Sequence, residues 1–288
     1  MKRFADIKML LVLMFSAVFA VSSFAKEPET KAILESRYIQ ESDIEQQAGQ
    51  LAIAETKFSF DHEFNLDNGM PVSISFRNRH TDIDGDVPSV YLPSTLEGRS
   101  LGLGVKFPVP FTQSENYFIG LDVFPSMFTD GWGRNTSSAF RIPGRAYLIY
   151  RRDENLIVFA GVSVRPEFDT KVLPIIGFIY KPNDRLEFNF ASENPHITYR
   201  FSEKTKLLAE LDMVNDEYEL TRDANKGRVL LYREFSSGIG VEHQFTSAVM
   251  GMVSTGCVFS RSIKYEDGNG KVEPEAGMYV KAKISISF

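Results

Sequence analysis

Histidine is the side chain that most readily works as base, proton shuttle or metal ligand near neutral pH, and the 288-residue chain has four, His62, His80, His196 and His243. His80 precedes Asp82, Asp84 and Asp86, an alternating acidic run of the kind that can hold Ca²⁺. The calcium-loop spacing stops there, because Pro88 follows and no glutamate closes the loop at its twelfth position. A solvated acidic loop is the expectation, and no metal or cofactor is assigned. Lipid cleavage at a membrane surface needs a nucleophile, a base and a group that orients the base. His196-Ile197-Thr198 offers a threonine where a serine is wanted, and no G-x-S-x-G is present. Glu187, Glu210, Asp212 and Glu242 could be read as acid–base pairs. Their interleaving with Arg185, Arg200 and Arg228 instead predicts a ladder of ion pairs, because unpaired charge away from bulk water is costly. No catalytic residue is expected.

The elements that carry these groups alternate. In a strand, successive side chains point to opposite faces. Met278, Val280, Ala282, Ile284, Ile286 and Phe288 share one parity and Tyr279, Lys281, Lys283, Ser285 and Ser287 the other. The same pattern runs through 58–64, 72–76, 101–107, 117–123, 141–151, 156–164, 186–190, 197–201, 207–213, 229–235, 239–245 and 249–259. The stretch 172–180 is apolar on both faces. Charges recur on the polar parity: Arg141, Arg145, Arg165, Arg185, Glu187, Arg200, Glu210, Asp212, Arg228, Glu242, Lys281 and Lys283. His62 and His243 fall on the apolar parity near strand ends, where an amphipathic ring suits a membrane interface.

The ends of the chain point to export. Lys2, Arg3 and Lys8 precede an apolar run, 9–24, shorter than the ~20 residues of an easy helical span. Ser23 and Ala25 put small residues at the two positions a signal peptidase inspects before a cleavage point after Ala25, so 1–25 is expected to be a Sec signal peptide. The charged stretch 26–50 is expected to be a periplasmic extension or a short lumenal helix, with the folded domain over 51–288. The aromatic share of 12 %, with 24 Phe and 11 Tyr, suits strands and interface girdles. A net charge of −6 argues against a nucleic-acid partner. The lone Cys257 can form no internal disulfide and reads as a small apolar side chain.

A strand with one apolar and one polar face suits a soluble sandwich or a membrane barrel equally well. The connections decide. Short turns, such as 66–69 with its Asn68-Gly69 signal, 152–154, 181–184, 202–204 and 246–248, alternate with long loops, 80–98, 129–138, 215–227 and 266–277. That alternation is the membrane-barrel pattern. The expected fold is an all-β, antiparallel, up-and-down transmembrane β-barrel of about twelve strands, ten to fourteen being compatible. A strand concealed in 33–54 would raise the number, and an over-divided segment would lower it.

The segment Gly177 to Phe201 carries Tyr180-Lys181-Pro182-Asn183-Asp184-Arg185, Asn194-Pro195 and Tyr199-Arg200-Phe201. It resembles the signature region of an uncharacterised family of Gram-negative outer-membrane β-barrels, a domain of unknown function. The match covers about a tenth of the chain. It implies the barrel fold and the outer membrane, and it supplies no catalytic residues. An amphipathic last strand ending Ile284, Ile286, Phe288 likewise resembles the closing strand that the barrel-assembly machinery reads, so that machinery, periplasmic chaperones and outer-membrane lipid are the expected partners. The functional expectation is a narrow pore or solute channel with a charged lumen. The alternatives are a closed barrel working through its long loops and, less favoured, a lipid-modifying enzyme.

Overall fold

The computed structural model describes residues 30–288 apart from 67–69, 89, 111–115, 132–138, 167, 169–170, 192–194 and 223–224. The signal-peptide expectation and the Asn68-Gly69 turn lie outside the described residues. The strands, in chain order, are β1 (Thr30–Asp43), β2 (Gln50–Asn65), β3 (Pro71–Asp86), β4 (Thr95–Pro108), β5 (Tyr117–Val123), β6 (Ser126–Thr129), β7 (Phe140–Arg141), β8 (Gly144–Arg151) and β9 (Leu156–Val164). They continue with β10 (Val172–Asn183), β11 (Leu186–Asn189), β12 (His196–Arg200), β13 (Thr205–Glu219), β14 (Val229–Gln244), β15 (Val249–Tyr265), β16 (Lys271–Val272) and β17 (Gly277–Ser287).

Each pairs antiparallel with its neighbours, and β17 returns to β1, closing the ring. Phe124-Pro125 splits one wall strand into β5 and β6, which both pair with β4, and Ile142-Pro143 splits the next into β7 and β8. With those halves joined and the two-residue β16 set aside, the barrel has 14 strands.

One strand gained and two segments merged set the strand number at fourteen, within the expected range of ten to fourteen. The stretch 26–50 is neither an extension nor a helix over its described part: Thr30–Asp43 is the first wall strand, bonded to β17 on one side and β2 on the other. Its alternation was masked because Lys31, Glu35 and Arg37 face inward among Ile33 and Ile39. The barrel therefore includes Thr30–Asp43 and does not start at 51. Conversely, 229–235 and 239–245 are one strand, β14, which runs unbroken through the apolar-poor Ser236-Ser237-Gly238. The acidic run at Asp82, Asp84 and Asp86 is not a loop, since β3 extends to Asp86 and spreads these carboxylates along an extended backbone. Among the described residues no cluster fit for a metal occurs.

The wall is uneven. Strands β1–β4 and β13–β15 are 14 to 17 residues long, whereas β11 and β12 have four and five. On the tall side, the strand ends beyond the apolar belt fold toward one another over a buried core that includes Ile39, Ile53, Ile83, Leu96, Tyr218, Leu230, Ile263 and Tyr265. That core lies toward the long-loop end. Outward-facing Phe76, Leu101, Leu148, Ile176, Leu211, Ile239, Val253 and Val280 stay exposed, as a lipid-facing belt requires. At the short-turn end His62 meets Thr30 Oγ1 at 2.8 Å and packs on Phe64, while His243 meets Thr205 Oγ1 at 3.0 Å and packs on Phe245. These two H-x-F sites are half-buried edge positions, each hydrogen-bonded to a threonine hydroxyl.

Candidate functional site: the charged lumen

The inward faces of the tall strands hold a continuous charge network. Glu55 on β2 is the hub of its middle layer. Lys57 Nζ lies 3.2 Å from Glu55 and 3.5 Å from Glu35, and Arg79 Nε on β3 lies 2.9 Å from Glu55. The other end of Arg79 reaches the far wall, where Nη1 donates to Asp216 on β13. Lys57 crosses the same gap toward Asp212, at 3.9 Å. Opposite walls thus meet through charged side chains at one level of the lumen.

A second group lies between β1, β14 and β15. Glu234 accepts from Arg37 at 2.6 Å, from Tyr232 at 2.7 Å and from Arg261 at 3.2 Å, all fully buried. Arg261 faces inward only because β15 bulges opposite Phe235 and Ser236. Phe259 and Ser260 both point outward, and the parity beyond them reverses. An extra residue in one strand has that effect. Below, Glu210 takes Lys281 at 2.6 Å and Ser254 at 2.9 Å. Tyr279 lies beside them, its hydroxyl 3.4 Å from Glu210 and its ring under the Arg37 guanidinium at 4.4 Å. The ring has room because positions 238 and 256 are glycines: a Cβ at Gly238 would stand 2.1 Å from the Tyr279 hydroxyl, and one at Gly256 2.7 Å from its ring.

Several charges expected on the polar parity fall in this lumen. Glu210, Asp212 and Lys281 are buried in the network. Glu242 pairs with Lys206 at 3.1 Å toward the short-turn end, and Lys283 shares the inward face with Lys281. Arg141 is buried against Glu217 at 2.6 Å. Arg145 lies over the Phe124 ring at 4.8 Å, and Arg165 over Phe168 at 3.8 Å. Glu187 faces inward and meets Lys181 at 3.4 Å near the rim.

Three do not belong to the ladder. Arg185 is exposed in the β10–β11 turn, where Asn183 Oδ1 accepts the Arg185 and Leu186 amides. Arg200 is exposed at the end of β12. Arg228 sits outside the barrel at the long-loop end, paired with Asp267 at 2.9 Å and stacked on Tyr265. Strand parity was right for Arg185 and Arg200, but depth was not legible, and Arg228 precedes its strand. Conversely, Arg37, Glu55, Arg79, Glu234 and Arg261 were missed. Arg37 lies in the strand that went unrecognised, and Arg261 follows the bulge. His196 faces the lumen opposite Glu210 in register, away from the lipid that a lipid-cleaving base would have to reach.

A closed ring of antiparallel strands with an apolar outer belt and a charged interior is a transmembrane β-barrel of the outer-membrane class. The chain belongs to the domain-of-unknown-function family DUF6268, whose model matches residues 29–273. No curated protein sequence matches it. Among solved structures, it is similar to the COG4313 outer membrane channel from Pseudomonas putida F1, with a TM-score of 0.49 and 10% identity over 93% of this chain and 98% of that one. It is also similar to a Pseudomonas aeruginosa FadL homologue, with a TM-score of 0.48 and 10% identity over 90% of each chain. The KdgM porin gives a TM-score of 0.35 and 8% identity over 89% of this chain and 99% of that one.

Proposed function

We propose that the protein is a narrow outer-membrane channel whose selectivity is set by a mixed-charge constriction. The observation that carries this reading is the meeting of Glu55, Lys57 and Arg79 with Asp212 and Asp216 from the opposite wall. Rings of fixed charge at a constriction are how channels sort solutes. Carboxylates and cations in such a lumen hold one another in place, and a passing solute with both a cationic and an anionic or polar group meets partners of each sign. In this reading the short turns face the periplasm, and Phe288 stands where assembly factors reach it.

Reconstituted protein is expected to give discrete single-channel steps in planar bilayers. Asp212→Asn and Arg145→Glu are expected to shift ion selectivity in opposite directions. Bilayers that stay silent at high protein load would overturn the channel. The apolar core over the long-loop end favours a second reading, a closed barrel that works through its loops, and silent bilayers are its expected result.

A further inference from the structure

The outer face of the tall wall changes character as it rises toward the long-loop end. On β15 the outward residues run Val253, Thr255, Cys257 and Phe259 through the lipid belt, and past the bulge they are Ser260, Ser262 and Lys264. On β14 they run Val241, Ile239, Ser237 and Phe235, and then Arg233. On β13 Met213 gives way to Asn215. Phe235 and Phe259, their rings 6.4 Å apart, are the last large apolar side chains exposed on β14 and β15 in that ascent.

Above the two rings the same face gathers cations. Arg233 pairs in register with Ser262, and Lys264, the next outward residue of β15, pairs with Lys271 on β16. The neighbouring register pair, Ile263 and Val272, is buried in the core, so both lysines point the other way, outward. Like charges directly opposite one another on adjacent strands are destabilising, and an anion between them relieves that cost. Glu273 takes Lys271 at 2.7 Å, whereas among the described residues Lys264 makes no ion pair. Glu217, two strands across from Lys264 on the same face, is held by Arg141, and Glu266 lies past the end of β15, farther from the belt. Arg233 Nε donates to the uncharged Asn215 Oδ1 at 3.2 Å.

The depth suits a lipid headgroup. A strand that rises ~3.3 Å per residue at a tilt of ~40° climbs ~5 Å per outward step. Arg233 therefore stands one such step above Phe235, and Lys264 one step above Arg233. The polar layer on each side of a ~30 Å hydrocarbon core is ~5–7 Å deep, and long lysine side chains bend toward it while their stems lie on apolar surface. Three cations on three strands, with the Ser260 and Ser262 hydroxyls below them, present donors from several directions. A tetrahedral phosphate can accept from all of them, and lysine binds phosphate as a point charge without a fixed fork.

We propose that the outer face of β14–β16 docks a lipid with an anionic phosphate head, drawn from the leaflet at the long-loop end. Its chains lie on Met213, Phe235 and Phe259, and its phosphate sits between Arg233, Lys264 and Lys271. The site does not depend on whether the lumen conducts, so it and the channel reading stand or fall separately.

Cys257, the one cysteine of the chain, lies on the outward face of β15 one step below Phe259, so the full chain takes a fluorophore there before refolding with no other change. The labelled protein is reconstituted in phosphatidylcholine containing a fraction of brominated-chain phosphatidic acid or brominated-chain phosphatidylcholine, whose bromines quench on contact. Phosphatidic acid is expected to bind beside Cys257 roughly fivefold more strongly than phosphatidylcholine, the scale of one basic residue at a membrane surface. A second label, at Leu148→Cys in Cys257→Ser protein, reports a stretch of belt where the outward residues above it, Ala146, Gly144, Ile142 and Phe140, carry no charge. The two lipids are expected to quench that label equally. Lys264→Gln with Lys271→Gln is expected to abolish the preference at Cys257, and Lys264→Arg to retain it. Lys264→Gln alone serves if the double variant does not insert. Equal quenching by the two lipids at Cys257, the same preference at position 148, or a preference indifferent to the glutamine variants overturns the site.

Discussion

Arg141 Nη1 on β7 and Glu217 Oε2 on β13 are 2.6 Å apart, and both side chains are buried. The two strands are not neighbours in the ring, so this pair braces the wall across the space above the shortest hairpin. The Arg141 guanidinium also covers the Phe168 ring at 4.5 Å, and Phe128 packs edge-on against both Phe168 and Tyr218. A charged strut and an aromatic stack thus share one job, holding β6 and β7 against β13.

That pairing predicts non-additivity. Arg141→Met and Glu217→Gln are each expected to lower stability, and the double variant to lose less than the sum. A coupling of about 1–3 kcal/mol is expected for residues in direct contact. Denaturant unfolding of the reconstituted barrel measures it, and strict additivity would show that the strut carries no energy.

Glu234 holds two buried arginines, Arg37 and Arg261. Glu234→Gln removes the carboxylate that both cations share, leaving Arg37 with Glu55 at 3.9 Å, and is expected to cost ~3–5 kcal/mol, the range for breaking a buried pair from one side. The readout is the heat or denaturant midpoint of the band shift between folded and unfolded barrel on a gel. An unchanged midpoint would contradict the placement of this group inside the barrel.

Gly238→Ala puts a methyl where the Tyr279 hydroxyl lies. The ring must tilt, losing its place under Arg37 and beside Glu210. The expected cost is ~1–3 kcal/mol, as for other overpacked sites. Tyr279→Phe, which keeps the ring, is expected to cost less, and pairing it with Gly238→Ala tests whether the hydroxyl is the clashing group.

The exposed Arg228–Asp267 pair responds to acid. A hydrogen bond from Arg228 holds the Asp267 carboxyl below its ordinary value of 3.8, helped by the Asn269 amide. A depressed carboxylate stabilises its folded arrangement fully above the unfolded pKa, and that contribution disappears as pH falls through the lower folded value. Exchange of the Asn269 amide is therefore expected to be slow, relative to its intrinsic rate, above about pH 4 and to accelerate below it. Asp267→Asn should remove most of that pH dependence.

The outer surface was far more legible in the sequence than the interior. Lipid imposes a strict parity, so Met278, Val280 and Ile284 could be placed from alternation alone. Inside, any side chain that finds a partner is allowed, and the partner comes from a distant strand. Arg79 and Asp216 are 137 residues apart, and nothing local in either segment announces the other. The Phe259–Ser260 bulge is equally silent, because a one-residue insertion is visible only against its neighbour. The short hairpin was visible as two short segments, 186–190 and 197–201.

The seam of the ring lies between Thr30 and Phe288, whose amides each donate to the other's carbonyl at 3.0 and 2.9 Å. Apart from the single Glu219–Thr129 bridge between β13 and β6, the other strand pairings among the described residues join wall strands that follow one another, so most of the sheet can zip by local hairpins. This one joins the two most distant described strands and carries the whole loop-closure entropy of the domain. Until it forms, the sheet has two open edges and no enclosed lumen. Kinetically, the seam makes insertion an all-or-none event, with Arg37–Glu234 and Lys57–Asp212 able to lock only after the ends have met.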